Sequence, residues 1–308
     1  MKIQTLIIQN YSLSLKSGSN RSGIFIQITD YLGKESWGEV APLPKWSHET
    51  LEEAVEQINQ KQIEFMAIDW QLKNLFAQLT ALKLLPSVLF GLEAGLLSLL
   101  SPLNTYQVPM SALLMGTPEE IIKQASLRYR EGYRTAKLKV SHLTFEEAAA
   151  MIHQLKGLFR LRIDVNRAWN TDEAQRFFAQ FHENDFDYVE EPFQNPHELA
   201  RFTHPLAIDE SFPADLSLKE LENFPTLKAL VYKPTIQGGM TNCLPLHDWA
   251  RKKGIELVLS SSFESDVGLE AIASMAFRLS LSSPLGLGTY HYLNEFFHPS
   301  FKSRVFCS

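Results

Sequence analysis

Residues 135–166, TAKLKVSHLTFEEAAAMIHQLKGLFRLRIDVN, decide the fold. They read as a short apolar strand, an amphipathic helix from Phe145 to Gly157 and a second short strand, the unit of a parallel α/β architecture. The same rhythm runs outward from about Gln107. QVPMSAL, TAKLKV, LRIDVN, DYVEEP, LAIDES, ALVYKP, ELVLSS and SPLGLGT are strand candidates, separated by helical patterns such as Pro118–Glu131, Asp172–Glu183, Asn242–Lys253 and Gly268–Ser280. Eight alternations predict an α/β fold whose sheet closes as a modified (β/α)8 barrel of TIM type. A doubly wound open sheet shares the rhythm, but it would prefer a G-x-G-x-x-G after its first strand, and none occurs.

The first third reads differently, as α+β. Residues 1–43 suggest a meander: an alternating run to Leu15, a polar segment Ser17–Gly23, then IFIQITD and ESWGEVAPLP. A helix over His48–Asn59 follows, with Ser47 as its N-cap and early acids Glu49, Glu52 and Glu53. Leu84–Leu100 is the most apolar stretch, interrupted by Pro86, Gly91, Glu93 and Gly95, and reads as a buried helix and not a membrane span. The boundaries expected are 1–105, 106–290 for the barrel, and a C-terminal tail at 291–308 packing back on the first unit.

Composition narrows the class of function. A chain of 308 residues with 45% hydrophobic and 21% charged residues is an ordinary folded protein. Its formal charge of −6 and lack of a basic block argue against a nucleic-acid partner. Two cysteines, Cys243 and Cys307, make no disulfide framework, and the alternating start is unlike a signal peptide, so a cytoplasmic location is expected. Nothing in the sequence fixes an oligomeric state.

Charge sits where a packed sheet should be apolar. In TAKLKV, Lys137 and Lys139 share one strand face, and the next strands end in Asp164, Glu190 and Asp209. Three carboxylates in one cavity repel unless a cation neutralises them, and oxygen ligands favour a hard ion: Mg²⁺, with Mn²⁺ sharing its preferences. Lys233 ends a strand on the other side of the barrel. Lysines flanking a metal predict proton abstraction beside a carboxylate, with a small anionic substrate. A lysine base must be lowered from about 10.4 towards 7–8, roughly 4 kcal/mol, and Lys137, the ion and partial burial would supply it. No H-E-x-x-H, G-x-S-x-G or Walker loop offers another chemistry. His197 and His204 are expected to face solvent, and Trp37, Trp46 and Trp169 to be packing residues.

Together these motifs resemble the enolase superfamily, its muconate-lactonizing subgroup, and most closely the o-succinylbenzoate synthases of menaquinone biosynthesis. The marks are Lys137-x-Lys139, RIDVNRAW, VEEP, IDES and KPTIQGG, in order over nearly the whole chain. The resemblance implies an N-terminal α+β capping domain whose mobile loop, matched by Ser17–Gly23, closes over substrate. It implies a hydro-lyase, a carbon–oxygen lyase performing a syn dehydration. Lys139 would take the α-proton and return it to the departing hydroxide. Lys233 would be a cation over the forming ring, and Arg162, on the strand face of Asp164, would brace the site near Lys139. Glu191 points to the opposite face and stays outside the metal shell. Ser260, Ser262 and Gly286, in an SSS-x-ES stretch and the eighth strand, would bind the succinyl end. Dipeptide epimerases typically end the eighth strand with Asp-x-Asp, and here Gly286–Thr289 carries no carboxylate. N-acylamino acid racemisation or dipeptide epimerisation is the alternative within the superfamily; a metal-binding barrel without catalysis is the alternative outside it.

Overall fold

The computed structural model describes residues 1–297 and 301–308; residues 298–300 of the expected tail lie outside the described residues. Strands β1 (Ile3–Ser14), β2 (Asn20–Asp30) and β3 (Glu35–Val40) form an antiparallel sheet, against which helices α1 (Leu51–Ala67), α2 (Leu75–Leu82) and α3 (Pro86–Leu100) bury a core of Ile24, Ile26, Ile28, Phe65, Trp70 and Leu96. Thr50, not Ser47, caps α1. It forms a capping box with Glu53, whereas the Ser47 hydroxyl accepts from Leu43 N and closes the preceding turn. Gly38 and Gly91 let α3 lie directly on β3, since a Cβ on Gly38 would stand 1.9 Å from the Gly91 carbonyl oxygen.

The segment expected as a mobile loop is half strand. Asn20, Arg21, Ser22 and Gly23 pair with Ser14, Leu13, Ser12 and Tyr11, so only the tip around Gly18 (φ +83°) lies outside the hairpin. Its polar, glycine-containing composition is that of a hairpin turn.

The barrel follows as β4 (Val108–Met110), β5 (Ala112–Leu114), α4 (Pro118–Arg130), β6 (Thr135–Lys139), α5 (Phe145–Leu155), β7 (Arg160–Asp164), α6 (Thr171–Phe178), β8 (Phe186–Glu190), β9 (Leu206–Ile208), α7 (Leu218–Leu221), β10 (Leu227–Tyr232), α8 (Pro234–Gln237), α9 (Gly239–Lys253), β11 (Glu256–Leu259) and α10 (Asp266–Arg278). Thr117, Thr144, Asn170 and Ser217 each close a capping box with the glutamate three residues on. Every such box is worth about 1 kcal/mol and aims the preceding βα turn the same way.

Strands β5 to β11 form one parallel seven-stranded sheet in sequence order. The expected eighth strand is reduced to two bridges, Met110↔Leu285 and Ser260↔Gly286, which close the curl. Pro284 lacks an N–H to donate to a ladder, and a Cβ on Gly286 would meet Ser260, so this edge holds only short pairing. The tail meets both units: Leu293 bridges Leu15 and Phe297 packs on Tyr11 and Phe25, while β12 (Val305–Cys307) pairs with β4. Among the described residues no helix is long and apolar enough to cross a membrane.

Candidate active site at the carboxyl ends of the barrel strands

Register explains why the charged residues converge. In β6 and β7, Lys137 pairs with Arg162 and Lys139 with Asp164, and in β7 and β8 Asp164 pairs with Glu190, so the last ladder step sets three functional side chains level. Lys137 Nζ donates to Glu190 Oε1 at 2.7 Å and lies 2.9 Å from Asp164 Oδ2. Lys139 Nζ donates to Asn166 Oδ1 at 3.0 Å and stands 3.4 Å from Asp164 Oδ2. Lys233, just beyond β10, is hydrogen-bonded to Asp209 and faces the Trp46 ring at 5.6 Å. A cavity of about 140 Å³ opens above them, lined by Leu43 and Trp46 from the N-terminal unit, the lysines, Asn166 and Ser260–Phe263.

The electrostatics follow from burial against neighbouring charge. Burial pulls the Lys137 ammonium down, but Asp164, Glu190 and Asp209 outweigh it and hold the group well above its usual range. Lys233 is likewise held up against burial, chiefly by Asp209. Burial raises Asp164, yet Lys137 and Lys139 bring it to about 2. Asp209 is lowered against burial by Lys233 and Lys137. Glu190 goes the other way, pushed well up by burial and by Asp164 and Asp209. Glu210 reaches about 8, through burial and the charges of Asp209 and Glu191.

This pattern is a test of the expected metal. Glu190 Oε2 and both Glu210 oxygens are buried without a hydrogen-bond partner among the described residues. Glu190, Asp209 and Glu210 bring carboxylate oxygens within 4.8 Å of one another. Under-satisfied carboxylates crowded in this way fit a hard divalent cation. Glu210 was missing from the sequence reading and Asp164 stands apart from this trio, beside Lys137 and Lys139. Strand β9 ends at Ile208, so the alternation that would turn Glu210 away from Asp209 no longer applies.

Other placements differ from expectation. Arg162 faces inward but sits below the site: it donates to Asp187 at 2.9 Å, to Ser283 and to the Pro284 carbonyl, and lies over the Tyr188 ring. Sharing a face with Asp164 did not give its depth in the barrel. The Ser260 and Ser261 hydroxyls both donate to the Gly286 carbonyl, whereas the buried Ser262 Oγ has no partner among the described residues. Glu191 accepts from Asp209 N, Ser211 N and the Ser211 hydroxyl, fixing the IDES turn from outside the cluster. Trp46 is not a packing residue; it is 48% exposed at the cavity rim. His204 is buried, with Nε2 against the Phe181 carbonyl, while His197 is exposed as expected. Asn166 went unnoticed because a strand end followed by two left-handed residues, Asn166 and Arg167, turns it back towards Lys139.

Residues 5–99 match the MenC N-terminal domain, and residues 120–305 match the enolase C-terminal domain-like family. The o-succinylbenzoate synthase of Pasteurella multocida is 32% identical over 300 residues, covering 92% of this chain and 85% of that protein. Its counterpart from Haemophilus influenzae is 31% identical over 87% of this chain and 82% of its own length. Among solved structures, the o-succinylbenzoate synthase from Thermosynechococcus elongatus complexed with Mg in the active site matches with a TM-score of 0.73 and 26% identity, covering 96% and 95% of the two chains. The L-Ala-D/L-Glu epimerase from Bacillus subtilis superposes with a TM-score of 0.82 but only 17% identity over 96% and 92%, a likeness of fold. The chain belongs to the enolase superfamily and, within it, to the o-succinylbenzoate synthase family of hydro-lyases.

Proposed function

We propose that this chain converts 2-succinyl-6-hydroxy-2,4-cyclohexadiene-1-carboxylate to o-succinylbenzoate with Lys139 as the single acid–base group. The observation that carries the assignment is exposure: the side chain of Lys139 is 31% accessible, against 14% for Lys137 and 19% for Lys233. Lys137 and Lys233 are each hydrogen-bonded to a carboxylate, whereas Lys139 donates to the neutral Asn166 amide and meets Asp164 only at 3.4 Å. Lys139 Nζ, acting as base, takes the proton from the ring carbon bearing the carboxylate, leaving an enediolate. The C6–O bond then breaks, the C1–C6 double bond completes the aromatic ring, and Lys139 returns its proton to the departing hydroxide, giving water. Base and acid are one group, so proton and hydroxyl leave from the same face.

Lys233 supplies positive charge to the forming ring; it already faces the π-surface of Trp46. Asp164, Glu190 and Asp209 would hold Mg²⁺, or Mn²⁺, with Glu210 as the added neighbour, and the ion would neutralise charge developing on the substrate carboxylate. Ser262 and Gly286 line the end of the pocket proposed for the succinyl group, with Ser260 holding Gly286. Lys137 keeps the acids in register and Arg162 braces the barrel beneath. The absence of a carboxylate from Gly286–Thr289 favours this substrate over a dipeptide, whose ammonium would find no partner there. Incubation in deuterated water tests the acid–base assignment: Lys139→Ala should lose turnover and α-proton exchange together, each by roughly 10³-fold. Exchange at both faces in the unaltered chain would contradict a single base and favour racemisation.

A further inference from the structure

Two buried carboxylates meet beneath the serine turn, one from each half of the molecule. Glu39, near the end of β3, accepts from Ser265 N at 2.9 Å, from Gly268 N at 2.8 Å, and from the Ser265 and Tyr11 hydroxyls. It thereby caps α10 from the N-terminal unit. Glu264, one residue before Ser265, accepts from Ser262 N and from the hydroxyl of Thr235, both at 2.5 Å. Thr235 lies two residues beyond Lys233. Gly268 fills the space between the pair: a Cβ there would stand 2.8 Å from Glu39 Oε2 and 2.7 Å from Glu264 Cβ. Neither glutamate lines the cavity.

We infer that Glu39 and Glu264 are positioning residues that clamp the serine turn between the N-terminal unit and the Lys233 turn. The physical basis is the cost of an unsatisfied buried donor. Each carboxylate satisfies donors that have no water to turn to, so the backbone of Ser262–Ser265 can take only the conformation that reaches both. Seating of the N-terminal unit therefore sets the shape of the pocket wall formed by Ser262, and Glu264 ties that wall to Lys233. This role rests on the proposed function only in so far as the wall is said to hold substrate.

The test combines steady-state kinetics on the cyclohexadiene precursor with hydrogen–deuterium exchange of the metal-loaded chain. Glu39→Gln keeps the size of the side chain, but whichever oxygen the amide NH₂ replaces, it faces a backbone N–H, of Ser265 or of Gly268, that can only donate. It should raise KM about tenfold with kcat within about threefold, and raise deuterium uptake selectively in the peptide spanning 259–268. Gly268→Ala, which keeps both carboxylates, should do the same and carries the test should Glu39→Gln fail to fold. Glu264→Gln should also lower kcat, because it frees Thr235 beside Lys233. Unchanged KM and uptake in Glu39→Gln and Gly268→Ala would overturn the inference, as would a uniform rise in uptake along the chain. If the unaltered chain does not turn over the precursor, the proposed function falls, and the local uptake alone still decides the positioning role.

Discussion

The two walls of the cavity are built on different principles. One is made of strand ends: Lys137, Lys139 and Asp164, with Glu190 behind them, stand on adjacent ladders whose register fixes their spacing to the residue pair. The other is made of turns: Ser260–Phe263, Gly286–Thr289 and Trp46 come from three separate segments, tied to the sheet only by the Ser260↔Gly286 bridge and otherwise held by buried side chains. In the proposed reaction the chemistry falls to the rigid wall and recognition to the wall that loops can reshape.

The largest effect expected lies on the strand wall. Lys139→Ala should lower kcat by roughly 10³-fold with an unchanged thermal unfolding midpoint. Comparable activity in that variant would move the base to another residue and dissolve the distinction between the walls.

The next effect concerns the acids. Asp164→Asn should weaken Mg²⁺ binding at least about tenfold and by more than Glu210→Gln does, both read by calorimetry. The reverse order would make Glu190, Asp209 and Glu210 the ligand set and leave Asp164 as the partner of the two lysines.

On the turn wall, Ser262→Ala removes a buried hydroxyl that has no partner among the described residues. It should raise KM about threefold to tenfold with little change in kcat. A loss confined to kcat would place Ser262 with the reacting atoms instead.

The last effect is on stability, away from both walls, and lies where α3 meets α9. Glu93 accepts from Met240 N and from Thr241 N and hydroxyl, and burial raises it from 4.5 to about 7. The folded chain thus holds a proton that the unfolded chain releases near 4.5. Its contribution is fully present below that pH and is lost as pH rises through about 7, at about 1.4 kcal/mol per unit. Denaturant unfolding from pH 4.5 to 7 should show this slope in the unaltered chain and lack it in Glu93→Gln.

The same contrast explains what could be read in advance. Period-two alternation in TAKLKV and RIDVN exposes charge on the inner face of a strand, so Lys137, Lys139 and Asp164 were visible from residues alone. The helix starts expected at Pro118 and Phe145 are the observed ones, each set locally by a capping box from the preceding threonine. Alternation ends with the strand, which hid Glu210 and Asn166. It gives a face and not a depth, which misplaced Arg162. Trp46 and Glu39 reach the site region across more than 200 residues of sequence separation from the serine turn, and no local pattern registers such a contact. The eighth strand was anticipated as regular, but Pro284 and Gly286 leave only two bridges to close the barrel.

The central claim is that a lysine on the strand wall, beside a cation held by the acids, aromatises the cyclohexadiene carboxylate. Purified chain should be mixed with Mg²⁺ and freshly made precursor, and the loss of precursor absorbance followed with and without chelator. The account predicts turnover with kcat/KM above about 10⁴ M⁻¹s⁻¹ that chelator abolishes and added Mg²⁺ restores. Metal-loaded, folded chain that leaves the precursor intact, while racemising an N-acylamino acid or dipeptide, would contradict it.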